Sequence, residues 1–337
     1  MIRLSKWFCV FFVASLCFRF DSAHADKYPT FGKLEPLDSR FEELIAKDAV
    51  IEKLAEGFDW SEGPVWVPKE QSLLFSDVPQ NVIFQWKEGE KVTRFLEPSG
   101  YTGAQKRGGE PGSNGLTLDA EGRLVICQHG DRRVARLESD GKFRTLADRY
   151  EGKRFNSPND LVYNAAGDLY FTDPPYGLLK GNDDPAKELD FNGVYRLSKN
   201  GQLTLLTRKI SFPNGIGLSP DEKTLYVASS DPRKAIWMSY RVTKDGVADG
   251  KVFFDATDMV SDRKGLPDGL CIDNQGNLFA TGPGGVLVFS PDGVHLGTID
   301  TGEATANCCF GGDGTVLYIA ADMYLCRIKT KTKGIGF

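Results

Sequence analysis

Ser157-Pro158-Asn159-Asp160-Leu161-Val162-Tyr163, followed after a short polar turn by Gly167-Asp168-Leu169-Tyr170-Phe171-Thr172-Asp173, is the stretch on which the fold reading turns. Apolar residues recur in alternation in both runs and turn formers separate them, so the stretch reads as a β-hairpin. The same unit appears five more times. Glu62-Gly63-Pro64-Val65-Trp66 leads to Ser72-Leu73-Leu74-Phe75-Ser76-Asp77, and Asn114-Gly115-Leu116-Thr117-Leu118 to Gly122-Arg123-Leu124-Val125-Ile126-Cys127. Asn214-Gly215-Ile216-Gly217-Leu218 leads to Thr224-Leu225-Tyr226-Val227-Ala228, Asp268-Gly269-Leu270-Cys271-Ile272 to Gly276-Asn277-Leu278-Phe279-Ala280, and Asn307-Cys308-Cys309-Phe310 to Gly314-Thr315-Val316-Leu317-Tyr318. The leading residues at 62, 114, 159, 214, 268 and 307 are separated by steps of 52, 45, 55, 54 and 39. Those steps lie near the roughly 40 to 50 residues of a four-stranded propeller blade, so the expected fold is all-β, a six-bladed β-propeller.

Between the hairpins lie further strand candidates: Val82 to Trp86, Val134 to Leu137, Gly193 to Leu197, Ile236 to Tyr240 and Gly285 to Phe289. Turns such as Ser139-Asp140-Gly141 and Pro291-Asp292-Gly293 follow them, as outer strands meeting at hairpins require. Apolar spacing at period 3.6 is missing apart from Phe41 to Lys47, which predicts one short helix. The expected organisation is a signal peptide over 1–25, an N-terminal extension over 26–54 with that helix, and the propeller over 55–337. Either Leu325 to Ile328 or the segment near Ile51 to Leu54 closes the ring.

Arg3 and Lys6, the twelve-residue apolar run Trp7 to Phe18, and Ala23-His24-Ala25 before Asp26 have the order of a secretory signal peptide. The run stops at Arg19, short of the about 20 residues a spanning helix needs. Secretion or a periplasmic location is therefore expected, with no membrane contact after cleavage. Cleavage takes away three basic residues (Arg3, Lys6, Arg19) and one acid (Asp21), moving the formal charge from -5 to -7. That sign and the lack of a basic run exclude nucleic acid as a partner. Five cysteines remain, Cys127, Cys271, Cys308, Cys309 and Cys326, an odd number without C-x-x-C spacing. Buried free thiols follow, with a bond from Cys308 or Cys309 to Cys326 left open.

One position per blade carries the chemistry. Equivalent residues on the innermost strands face the same end of the central channel, so Glu62, Asn114, Asn159, Asn214, Asp268 and Asn307 are expected to form a ring of carboxylates and carboxamides. Oxygen donors of this kind suit a hard cation, and Ca²⁺ takes six to eight of them. Asn-Gly and Asp-Gly are also turn dipeptides, and that reading competes. Here the leading residue opens a strand in every repeat, well before the hairpin turn, which a turn role leaves unexplained.

At these motifs the chain resembles the gluconolactonase, senescence marker protein (regucalcin) and luciferin-regenerating-enzyme family, and its site pattern is similar to that of squid-type diisopropylfluorophosphatase. The matching pieces are Glu62 to Trp66, Ser157 to Leu161, Phe171-Thr172-Asp173-Pro174-Pro175-Tyr176-Gly177, Phe212 to Ile216 and Leu266 to Leu270. The resemblance implies a divalent metal at one end of the channel held by Glu62, Asn159, Asn214 and Asp268, calcium first, with magnesium, manganese or zinc as alternatives. It also implies a sugar lactone such as gluconolactone as the small-molecule substrate. One departure is Gln128, where the bacterial branch commonly has Glu before His129; it puts substrate preference in doubt.

In the expected mechanism the metal polarises the lactone carbonyl and Asp268 serves as base or metal-bound nucleophile. Asn114, His129, Arg107, Asp173 and Tyr176 are the candidates for substrate contact. Arg107 lies in the loop Gly100 to Gly112 and Tyr176 in the loop Pro174 to Asp190, both expected to roof the pocket. Only His129 and His295 remain after cleavage, and no Gly-x-Ser-x-Gly elbow is present, so neither a histidine dyad nor a serine triad is supported. Two alternatives stay open: a phosphotriesterase-like hydrolase on the same metal, and a noncatalytic calcium- or carbohydrate-binding propeller.

Overall fold

Each of the six hairpins becomes the inner half of an antiparallel sheet in the computed structural model, which describes residues 28–105 and 107–337. The innermost strands are Ser61–Val67, Ser113–Leu118, Leu161–Tyr163, Pro213–Leu218, Leu270–Ile272 and Thr305–Gly311, and they open blades 1 to 6. The five additional strand candidates are the third strands of blades 1 to 5, and each pairs with the hairpin before it. The signal-peptide reading lies outside the described residues.

Strand alternation explains why the blades stack. Successive side chains leave a strand on opposite faces, so each blade feeds two seams. Leu74 packs toward blade 2 with Leu116 and Ile126, while its neighbour Phe75 packs toward blade 6 with Trp66 and Tyr318. Phe171 and Tyr170 divide the same way, toward blades 2 and 4. The apolar interior of the described residues is therefore six seam cores around the ring rather than one central core.

Both candidates for ring closure meet in one blade. Ile51–Glu56 is the outer strand of blade 6 and pairs antiparallel with Tyr324–Lys329, with Cys326 opposite Lys53. The N-terminal extension goes further than expected. Thr30–Phe31 adds a fifth strand to blade 6 and Lys33–Pro36 a fifth to blade 5. The propeller thus begins well before residue 55, because these short strands complete sheet edges that would otherwise lie open. The helix is a single turn, Phe41–Leu44, and Phe41, Leu44 and Ile45 are buried under the seam of blades 5 and 6. No helix of the described residues is long and apolar enough to cross a membrane.

The described cysteines are free. A bond from Cys308 to Cys326 is ruled out by register: Cys308 lies opposite Ile319, and Ile319 opposite Cys326. Two strand spacings put those Cα atoms about 10 Å apart, beyond the about 7 Å a disulfide spans. Cys308 instead has its Sγ 3.5 Å from Cys271 Sγ across the seam of blades 5 and 6.

Candidate functional site

The side chains at the ring positions are aimed by irregularities in the inner strands. Register shifts fall between Glu62 and Val65, Ser113 and Leu116, Pro213 and Ile216, and Thr305 and Asn307. A bulge at such a place turns one side chain out of the alternating pattern. In blades 3 and 5 the assigned strand starts two residues later, yet the ladder persists: the Asn159 N–H donates to Thr172 O at 2.9 Å and the Asp268 N–H to Thr281 O at 3.0 Å.

Glycine follows four of the six ring residues, and at Gly215 and Gly269 the reason is packing rather than a turn. A Cβ on Gly215 would meet the Asp268 carbonyl oxygen at 2.1 Å, and one on Gly269 would meet Asn307 Cγ at 2.0 Å. Neighbouring inner strands approach this closely because the Gly269 N–H donates to Ala306 O and the Gly115 N–H to Asn159 O, both at 2.7 Å. Hydroxyls on the second strands clasp the next blade. Ser76 donates to Asn114 O, Thr172 to Asn214 O and Thr281 to Ala306 O, each at 2.8 Å.

At this end of the channel a cavity of about 480 Å³ is lined by Glu62, Asn114, Asn159, Asn214 and Asp268. Five ring members thus share one space. Asn307 does not: its Oδ1 accepts from the Cys308 N–H at 2.8 Å, and it lines a second cavity at the opposite end, together with Asp160. The four residues read as metal ligands converge, and Tyr176 joins them from its loop.

The electrostatics call for positive charge. Burial, and then repulsion from Asp160 and Glu110, pushes the Glu62 carboxyl well above the usual carboxylate range. Burial does the same to Asp268, with repulsion from Glu62 next. Asp160 is pushed up to about 7 by burial, although the Leu161 N–H donates to it at 2.9 Å. Two of the cavity's carboxamide oxygens, Asn114 Oδ1 and Asn159 Oδ1, are buried without a hydrogen-bond partner. Each such orphan costs about 1 to 3 kcal/mol, which coordination to a cation would offset. An all-oxygen set of two carboxylates and three carboxamides fits a hard divalent ion.

Three expected substrate contacts fall elsewhere. Arg107 braces its loop: Nη1 donates to Gly130 O at 2.7 Å and Nη2 to Gly177 O. Asp173 is fully buried and accepts from the N–H groups of Asn156 and Ser157 at 2.9 and 2.8 Å, fixing the segment that leads to Asn159; burial pushes it up to about 7. His129 is fully buried behind Asn159, its Nε2 3.4 Å from Asn159 Nδ2. Gln128 also lies off the cavity, donating to Ser99 O at 2.8 Å and accepting from Arg133 Nε at 2.6 Å, so the exchange of Glu for Gln there leaves the lining unchanged. His295 bonds to Gly297 O and Thr298 on an outer strand.

Glu110, Arg263 and Trp60 also line the cavity and were not legible in the sequence, because none occupies a repeated position. Arg263 is held by Glu35 at 2.7 Å, so the N-terminal extension reaches the mouth of the site.

Comparison with known proteins gives the family. Residues 60–322 match the family described as SMP-30/Gluconolactonase/LRE-like region. A gluconolactonase of Zymomonas mobilis is 41% identical over 319 residues, covering 90% of this chain and 88% of that protein. A pentonolactonase of Haloferax volcanii is 28% identical, covering 77% of this chain and 80% of that protein. Among solved structures, a gluconolactonase from Xanthomonas campestris superposes with a TM-score of 0.77 at 32% identity, covering 90% of this chain and 97% of that one. With its six blades, its shared cavity and a family match over most of its length, this chain belongs to the SMP-30/gluconolactonase/LRE-like family.

Proposed function

We propose that the protein is a calcium-dependent lactonase, exported from the cytoplasm, that opens a sugar lactone such as gluconolactone by hydrolysis. The observation that carries this reading is the convergence of Glu62, Asn159, Asn214 and Asp268 on one cavity in which the Asn159 oxygen has no partner. Kinship with lactonases gives the reaction class.

Glu62, Asn159, Asn214 and Asp268 would hold the ion, with Asn114 Oδ1 available as a further donor. Bound calcium supplies Lewis-acid polarisation of the lactone carbonyl. The chain's own residues do the rest. Asp268, which lines the cavity, takes a proton from the attacking water, and the same proton is returned to the ring oxygen as the C–O bond breaks. Burial pushes the Tyr176 phenol above its ordinary value, so it stays protonated and its unpartnered hydroxyl donates to a substrate oxygen. Trp60 provides an apolar wall beside these polar groups.

The test is turnover of glucono-δ-lactone by chelator-treated protein resupplied with calcium, magnesium, manganese or zinc in turn, with a fluorophosphate run alongside. Full turnover without any divalent ion sinks the metal reading. Faster turnover of the fluorophosphate favours a phosphotriesterase, and metal binding without hydrolysis across a lactone panel favours a recognition module. Export is checked by the N-terminal mass of protein recovered from the periplasm or medium, expected to begin at Asp26.

A further inference from the structure

The Asn159 backbone is fixed on both sides: its N–H donates to Thr172 O at 2.9 Å and its carbonyl accepts from the Gly115 N–H at 2.7 Å. What remains free is the orientation of the carboxamide, which can present either oxygen or NH2 to the cavity. Only the oxygen suits a cation. Behind the amide, His129 Nε2 lies 3.4 Å from Nδ2, and beyond the ring Nδ1 lies 3.4 Å from Glu110 Oε2 at the mouth.

We propose that His129, braced by Glu110, is the positioning residue that turns the Asn159 oxygen toward the bound cation. A neutral imidazole accepts at one nitrogen and donates at the other. Acceptance at Nε2 from the Asn159 amide places the ring proton on Nδ1, which makes no hydrogen bond of its own and lies 3.4 Å from the Glu110 carboxylate, within ion-pair reach. The imidazole and the carboxamide thus form a directed pair ending in an oxygen without a partner, and the Glu110 carboxylate stands at ion-pair distance behind the ring to orient it. The surroundings hold the ring in place. Arg107 ties down the carbonyls of Gly130 and Gly177, and a Cβ on Gly177 would come within 2.8 Å of His129 Cβ. Arg107 and His129, which do not line the cavity, acquire a shared purpose in this arrangement.

The inference rests on the calcium reading above, and the experiment separates the two. Calcium affinity of the purified mature protein is measured by calorimetry, together with the thermal midpoint of the metal-free form. Absence of binding by the unmodified protein removes both proposals. With binding established, His129→Phe is expected to weaken calcium about 10- to 100-fold, as partners behind metal ligands commonly do, while the metal-free midpoint stays within a few degrees. An aspartate offers an oxygen in either orientation, so adding Asn159→Asp to His129→Phe is expected to restore the affinity. Glu110→Gln is expected to weaken binding more in the unmodified protein than beside His129→Phe, since a group that acts through the ring loses its effect with it. Equal losses in both backgrounds would mean that Glu110 acts by charge alone and overturn the proposal. Unchanged affinity in His129→Phe, or no recovery with Asn159→Asp, overturns it too. Should His129→Phe not fold, His129→Gln, whose amide oxygen can accept the same bond, and Glu110→Ala at its half-exposed site carry the comparison. His129→Gln must then bind calcium more tightly than Glu110→Ala.

Discussion

Glu62 and Asp268 are acids placed where an isolated carboxylate is costly, and that cost is measurable without substrate. In the metal-free protein Glu62, Asp268 and Asp160 hold their protons more tightly than in the unfolded chain, and Asp173, pushed up to about 7, adds to the effect. From about pH 4, where unfolded carboxyls titrate, to the raised folded values, the native state binds more protons, so stability falls as pH rises. The chelated protein should therefore melt at a lower temperature at about pH 8 than at about pH 5, and calcium should raise the midpoint more at the higher pH. Thermal scans at both pH values, with and without calcium, check this. Asp268→Asn should lower kcat by about 100-fold or more while calcium still binds, the size expected for loss of a general base. Unchanged turnover would remove Asp268 from the chemistry. The four proposed ligand positions, which share one cavity, were legible because the repeat marks them. Glu110 and Arg263 were not, because a loop residue becomes part of a site only through the path of its loop.

At the scale of the strand, each blade holds its neighbour by a hydroxyl and a close backbone approach. Thr281 donates to both Gly269 O and Ala306 O, each of which also accepts a backbone N–H, so Thr281→Val removes only the second bond to each and should cost about 0.5 to 1.5 kcal/mol in urea unfolding. Gly215→Ala drives a methyl into the Asp268 carbonyl, so it should lower calcium affinity along with the melting temperature. The inner hairpins were readable from alternation and turn residues. Thr30–Phe31 and Lys33–Pro36 were not, since two to four residues carry no periodic signal and are strands only because an open sheet edge lies beside them.

For the molecule as a whole, six seam cores make stability a property of the closed ring. Phe41 is almost fully buried beneath the seam of blades 5 and 6, and Phe41→Ala should cost about 3 to 5 kcal/mol although it lies outside every repeat. Deleting the chain through Glu56 removes the strand opposite Tyr324–Lys329 and opens the ring; the expected product is aggregated, as size-exclusion chromatography would show. The number of blades was written in the repeat spacing. The manner of closure was only half legible, because pairing between residues some 270 positions apart leaves no local trace: Cys326 opposite Lys53 is a separation of 273. That separation also orders events on the ribosome. Ile51–Glu56 emerges early, with Thr30–Phe31 along one edge, and its other edge must wait until Tyr324–Lys329 has been synthesised. On the proposed function, Glu62 and Asp268 are held in one cavity only by the closed ring, so the proposed cation site would be completed only after the last blade has been sewn to the first strands made.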